Sequence, residues 1–304
     1  VRRGDARALA RAITRIENRE AESEELLRAL FPDSGRATLL GLTGAPGAGK
    51  STLADAIASL LRQRQKSVGI IAVDPTSPFS GGAILGDRIR MTRHHADDGV
   101  FIRSMATRGA LGGLAAAAAD VALLLDAAGK DTVLIETVGV GQDEIDVVRL
   151  ADVTVVILVP GMGDDVQTIK AGIMEIADVF CINKADRPGA DRVENELRAM
   201  LSIGHRDDGW NTPIVKTVAP DGTGVPELLD AAESYIAFLR DRGLLANKKA
   251  HNWRQRLLDL LRERLLEHAL AVSGEERLSQ LAERVARREL DPYSAVDSLM
   301  QRTV

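Results

Sequence analysis

Between residues 37 and about 240 the chain alternates short apolar runs with stretches of helical spacing. The runs are Ala37–Thr43, Val68–Val73, Val100–Arg103, Thr132–Glu136, Val153–Val159, Val179–Ile182 and Pro213–Thr217. They show little polar alternation, as expected of strands covered by helices on both faces of a mostly parallel sheet. Before them, Leu9, Ile13 and Ile16 recur at helical spacing, and a Glu-rich segment ends in Leu26, Leu27, Leu30 and Phe31. This predicts a helical arm over 1–36, closed by the turn signal Pro32-Asp-Ser-Gly35. Beyond Gly243, Trp253, Leu257, Leu260, Leu261 and Leu265 mark a long amphipathic helix. Leu278, Leu281 and Val285 mark a second, and Asp291-Pro292 reads as the cap and first position of a last short one. The expected organisation is an α/β nucleotide-binding domain over 37–242, with the arm before it and a helical region over 243–304 after it. A leucine stripe left in water is an aggregation hazard, so the tail has to pack on the domain or pair with another chain; pairing into a homodimer is the expectation.

In such a sheet, ligands bind beyond the carboxyl ends of the strands, so the residues that follow each run are where chemistry is sought. After the first run comes Gly44-Ala45-Pro46-Gly47-Ala48-Gly49-Lys50-Ser51-Thr52, then the helical spacing of Leu53 to Leu61. Strand, glycine loop and helix form a P-loop, whose backbone N–H groups and helix N-terminus cradle phosphates. Lys50 is expected to reach the β- and γ-phosphates, and the Ser51 hydroxyl to ligate Mg²⁺. Glu136, at the end of the fourth run, takes the place of the acid that holds the metal directly or through water, and Gly139 follows three residues later to meet the γ-phosphate. Asn183-Lys184-Ala185-Asp186 follows the sixth run. This pattern reads guanine, because the Asp carboxylate accepts from the ring N–H and the exocyclic amine, a donor pair adenine lacks. Lys184 is expected to lie over the base, Asn183 to brace the loops, and the Ala219 N–H to meet the guanine oxygen. Asp74 and Asp87 flank a glycine-containing stretch and can supply further Mg²⁺ oxygens, although Asp87 reads equally well as a helix N-cap. A stretch of this kind orders on the γ-phosphate and relaxes after hydrolysis.

Composition adds bounds. The chain has 304 residues, 45% of them hydrophobic and 27% charged, enough for a full core. A net charge of −5 gives no global drive toward nucleic acid. The lone Cys181 sits in an apolar run and reads as a buried structural thiol. No run has membrane-spanning length, and the charged first residues lack the apolar core of a signal peptide, so a cytoplasmic protein is expected, without membrane or nucleic-acid partners. His94-His95 is the only histidine pair, without the soft ligands of a transition-metal site, and reads as part of a surface helix.

The glycine loop, the 74–91 stretch with Gly-Gly-Ala-Ile-Leu-Gly-Asp87, Thr107-Arg-Gly-Ala-Leu-Gly-Gly113, Glu136-Thr-Val-Gly-Val-Gly-Gln142 and Asn183–Asp186 together resemble the MeaB family. Its members are GTPases that chaperone adenosylcobalamin-dependent methylmalonyl-CoA mutase. The resemblance implies a homodimer whose GTP or GDP state gates cofactor loading and protection of the mutase. It also implies a partner-sensing switch at 161–170, where Asp164, Gln167 and Lys170 keep the pattern and Asp165 stands in place of Glu. Lys50, Glu136, Gln142 and Lys170 are the candidate catalytic residues. Val140 occupies the position where many small GTPases carry a water-positioning Gln, so slow, partner-stimulated hydrolysis is expected. Gln142 is either its substitute or a loop-holding residue. The alternatives are a small-molecule kinase of the amino-acid transport type, a metallochaperone GTPase, and a module that keeps GTP for structure alone.

Overall fold

The computed structural model describes residues 1–74, 91–94, 96–106, 113–137, 150–161, 176–203, 206 and 208–300. Asp87, Gly139, Gln142, Asp164, Gln167 and Lys170, and the side chain of Asp74, lie outside the described residues. The chain divides into two compact units, Val1–Asn252 and Trp253–Val304.

In the first unit the seven apolar runs form one sheet of seven parallel strands: β1 (Thr38–Gly44), β2 (Val68–Asp74), β3 (Val100–Ala106), β4 (Thr132–Glu136), β5 (Val153–Leu158), β6 (Val179–Asn183) and β7 (Ile214–Thr217). Their order is β3-β2-β4-β1-β5-β6-β7. The P-loop strand is therefore central, with β4 and β5 as neighbours. The strands are apolar on successive residues because both faces are covered. Leu134 and Ile70 pack on one side with helix α3 (Lys50–Gln63), while Val133, Ile135 and Ile71 pack on the other.

Helices α1 (Ala6–Glu17) and α2 (Ser23–Leu30) belong to this second layer. Leu9, Ala12, Ile13 and Ile16, one face of α1, lie in the same buried cluster as Val121, Leu124 and Leu125 of α4 (Gly113–Ala127). Asp5 caps α1 by accepting the Ala8 N–H at 2.6 Å. At the end of α4, Asp126 gathers the N–H groups of Gly35, Arg36 and Ala37 at 2.5, 3.1 and 2.9 Å. The chain is thus held where it turns from the helices into β1. Helices α5 (Ala190–Ile203) and α6 (Val225–Asp241) complete the covering of β5, β6 and β7.

The long helix α7 (Leu245–Ser273) begins in this unit. Lys248 Nζ reaches the buried Asp178 carboxylate at 2.9 Å, which also receives Arg206 Nη2 at 3.1 Å. The second unit contains the rest of α7, α8 (Glu275–Ala286) and α9 (Pro292–Met300). As the sequence predicts, Asp291 caps α9, accepting the Ser294 N–H at 2.9 Å, with Pro292 in the first turn.

His94 departs from its sequence reading. It belongs to a 3₁₀ turn, Thr92–His94, and is buried, so the surface-helix expectation fails there. The physical reason is a carboxylate on α3, Asp55, which packs against the ring.

Candidate functional site

The P-loop joins β1 to α3 through backbone that side chains would obstruct. Gly44 has φ +146°, and a Cβ there would meet the Ile157 carbonyl oxygen of β5 at 2.2 Å. Gly49 has φ +89°, and a Cβ there would meet Asn183 Nδ2 at 2.5 Å. The two glycines therefore permit the loop to close against β5 and against Asn183 at the end of β6. The cap residue of α3 is Gly49, which has no side chain to cap the helix, so its first N–H groups and N-terminal dipole open onto the loop.

Lys50 opens α3 and is buried; its Nζ donates to the carbonyls of Gly44 at 2.6 Å and Ala45 at 3.0 Å. Its charge is thereby held over the mouth of the loop. Ser51 Oγ donates to Glu136 Oε1 at 2.6 Å. Both residues are buried, and Glu136 stands at the carboxyl end of β4 beside Leu42 of β1. A hydroxyl and a carboxylate in this contact are hard oxygen donors of the kind Mg²⁺ selects, so these residues fit that ion. Among the described residues no group of three His, Cys, Asp or Glu side chains is placed to hold a metal. A Mg²⁺ site of the P-loop type needs few such side chains, since phosphate and water oxygens complete it.

The Asn183–Asp186 loop meets the P-loop directly. Asn183 is fully buried; its Nδ2 donates to the Ala48 carbonyl at 2.9 Å, and its Oδ1 accepts from Thr217 Oγ1 at 3.1 Å and from the Ala219 N–H at 3.2 Å. Asn183 braces the loops, as its position in the motif predicts. Lys184, in the left-handed region at φ 56°, sends Nζ to the Gly47 carbonyl at 2.7 Å. Its stem thus crosses from one loop to the other. Asp186 is exposed at the same strand end. The Ala219 N–H, expected to meet guanine, is the donor that Asn183 holds.

Two participants were not read from the sequence as part of the site. Thr217, fully buried at the end of β7, sits opposite Asn183 in the register and fixes its amide. Cys181 Sγ lies 3.2 Å from Thr217 Oγ1, and burial pushes its thiol up to about 12, against the weaker downward pull of that hydroxyl. The available signal was a hydroxyl residue closing the strand next to Asn183. Of the expected site, Gly44 to Thr52, Glu136, Asn183, Lys184, Asp186 and Ala219 fall at the ends of β1, β4, β6 and β7. Asp74 ends β2 on the same edge of the sheet.

Comparison with known proteins gives the family of the chain. The family described as "Methylmalonyl Co-A mutase-associated GTPase MeaB" matches residues 9–274. A protein of Pyrococcus abyssi named as a GTPase is 47% identical over 307 residues, covering 100% of this chain and 95% of that protein. The mouse (Mus musculus) protein "Methylmalonic aciduria type A homolog, mitochondrial" is 32% identical over 318 residues, covering 98% of this chain and 77% of its own length. Among solved structures, one described as "LAO/AO transport system kinase" superposes with a TM-score of 0.74 at 31% identity, covering 99% of this chain and 94% of its own. With the family match running over most of its length, the chain belongs to the MeaB family of methylmalonyl-CoA mutase-associated GTPases.

Proposed function

We propose that this protein is a GTP-hydrolysing chaperone that assists cofactor loading and protection of an adenosylcobalamin-dependent methylmalonyl-CoA mutase, working as a homodimer. The observation that carries the reading is the Asn183–Ala48 contact, which couples a guanine-type reader to the phosphate loop. The names of the family and of the mouse relative support the choice of client.

In this reading Lys50 and the loop N–H groups bind the β- and γ-phosphates, and Gly139 adds a donor to the γ-phosphate. Asp186 selects guanine, Lys184 covers the base, and Ala219 shares its N–H between Asn183 and the guanine oxygen. Ser51 and Glu136 would hold Mg²⁺, with Asp74 and Asp87 as further ligands. When bound, that ion neutralises charge developing on phosphate oxygens. Gln142 orients water or holds its loop, and the mutase acts through Asp164, Gln167 and Lys170. No helix among the described residues is long and apolar enough to cross a membrane.

Affinity for GTP, ITP and ATP tests the base reading. ITP lacks the exocyclic amine and loses one charge-assisted hydrogen bond to Asp186, so it should bind about 10- to 100-fold more weakly than GTP. ATP should bind more weakly still. Equal affinity for ATP and GTP would overturn the assignment. A second reading follows from the name of the solved neighbour, a transport system kinase: transfer of the γ-phosphate to an amino acid. Labelled phosphate appearing on an amino acid, rather than as free phosphate, would favour it.

A further inference from the structure

Strand β7 ends beside the Asn183–Asp186 loop, and its last two residues serve opposite faces of the sheet. Thr217 meets the Asn183 amide with its hydroxyl, and its carbonyl accepts the Ala185 N–H at 3.0 Å. Lys216 lies opposite Ile182 in the register, and Ile182 shares an apolar cluster with Ala190, Val193 and Leu197 of α5. On this face Lys216 Nζ reaches two carboxylates of α5, Asp191 Oδ1 at 2.6 Å and Glu194 Oε2 at 2.5 Å. Glu194 is held in turn by Arg198 Nη2, 2.7 Å from Oε1. The backbone of Lys216 is engaged as well. Gly224, the cap residue of α6, has φ +74°, and a Cβ there would meet the Lys216 carbonyl oxygen at 1.9 Å.

Two loops therefore meet at Lys216. One runs from Val218 to Gly224 and carries Ala219; the Val218 N–H closes it on the Thr223 carbonyl at 3.0 Å. The other runs from Asn183 into α5 and carries Asp186. Residues 186–189 are exposed, so burial does not fix Asp186. Its direction is set from its two ends, by Thr217 at Ala185 and by Lys216 at Asp191. The buried residues of α5 hold that helix on the sheet, but apolar contact is non-directional. The polar clamp adds the angle at which the chain enters the helix. That angle matters to a base reader. A carboxylate that accepts two donors from one base edge has its orientation fixed by the pair, whereas one that accepts a single donor can swivel. Guanine offers Asp186 two donors and hypoxanthine one.

We infer that Lys216 is a positioning residue for base selection: by clamping the first turns of α5 through Asp191 and Glu194, it orients Asp186 and so favours guanine over hypoxanthine. The inference rests on the reading of Asn183–Asp186 as a guanine reader. Its effect is independent of the γ-phosphate and the metal, because it acts on the base alone.

The test is titration of the full chain with GDP and with IDP, for wild type, Lys216→Met, Lys216→Arg and the double variant Asp191→Asn with Glu194→Gln, with a melting temperature for each. Lys216→Met should bind GDP about threefold more weakly and IDP within about 1.5-fold of wild type, the scale that an exposed ion-pair network supports. Lys216→Arg should restore most of the ratio, and the double variant should behave as Lys216→Met does. Salt supplies a second readout, because exposed ion pairs are screened. Raising it from about 0.05 to 0.5 M should lower the GDP-to-IDP ratio more in wild type than in Lys216→Met. An unchanged ratio in Lys216→Met, or an equal loss for both nucleotides, would overturn the inference. If Lys216→Met does not fold, an unchanged ratio in the double variant does the same. A wild type that binds GDP and IDP alike overturns the guanine reading itself, and the inference with it.

Discussion

Asn183 Nδ2 donates to the Ala48 carbonyl at 2.9 Å, across 135 positions of sequence. The end of β6 is thereby tied to the loop that leaves β1. The opposite end of the same amide is saturated by Thr217 and Ala219. One buried side chain thus sets the spacing between the loop after β1 and the ends of β6 and β7, the parts proposed to hold the phosphates and to read the base.

Thr217→Val keeps the shape of that support and removes the hydroxyl that donates to Asn183 at 3.1 Å. One such hydrogen bond contributes about 1 kcal/mol, so affinity for guanine nucleotides should fall about fivefold. GTP and GDP should weaken by the same factor, because the contact lies on the base side of the site. Calorimetric titration measures both. A change for GTP alone would contradict the role given to Thr217.

Asp152 gives a pH-dependent prediction. Burial raises its carboxyl above the usual range, although the Leu39 N–H at 3.0 Å and the nearby Lys249 pull the other way. A carboxyl raised in the folded state stabilises the fold below its unfolded value of about 4, and that contribution is lost as pH rises through the folded value. At pH 7 the native protein therefore carries the charge at a cost. Asp152→Asn retains an acceptor for Leu39 and should melt about 1–3 °C higher than wild type at pH 7. The difference should vanish near pH 4. A variant that melts lower at pH 7 would mean that Lys249, 4.0 Å away, outweighs burial.

The proposed homodimer is testable on α7. Trp253, Leu257, Leu261 and Leu265 recur every four residues and are all exposed, Leu257 to 63%. A line of large apolar side chains in water favours association. Wild type should sediment as a dimer at micromolar concentration, and the double variant Leu257→Glu with Leu261→Glu should sediment as a monomer with GTP affinity intact. A monomeric wild type would contradict the proposal.

The sheet was legible because strands buried on both faces are apolar on consecutive residues, and each of the seven runs became a strand. The edge strand β3 was read too short, ending at Arg103 rather than Ala106. An edge strand pairs on one side only and accepts polar residues, and Arg103 reaches Glu17 of α1. The placement of Gly44–Thr52 and Asn183–Asp186 at strand ends was legible because each motif is local, within nine residues or fewer. Thr217 was not, since its partnership with Asn183 depends on the register of two strands. Nor was His94, whose burial depends on Asp55 meeting it from 39 positions away. Spacing along a chain carries no record of such tertiary pairings.

The central claim is that GTP turnover here serves a mutase. It is tested most directly by steady-state phosphate release from GTP with and without adenosylcobalamin-dependent methylmalonyl-CoA mutase, with ATP in parallel. The account predicts turnover on the order of 10⁻³ per second alone, as for GTPases that lack groups supplied by a partner. It also predicts a several-fold rise when the mutase is added, and no comparable turnover of ATP. Release at many per second without a partner, or a rate that the mutase leaves unchanged, would contradict it.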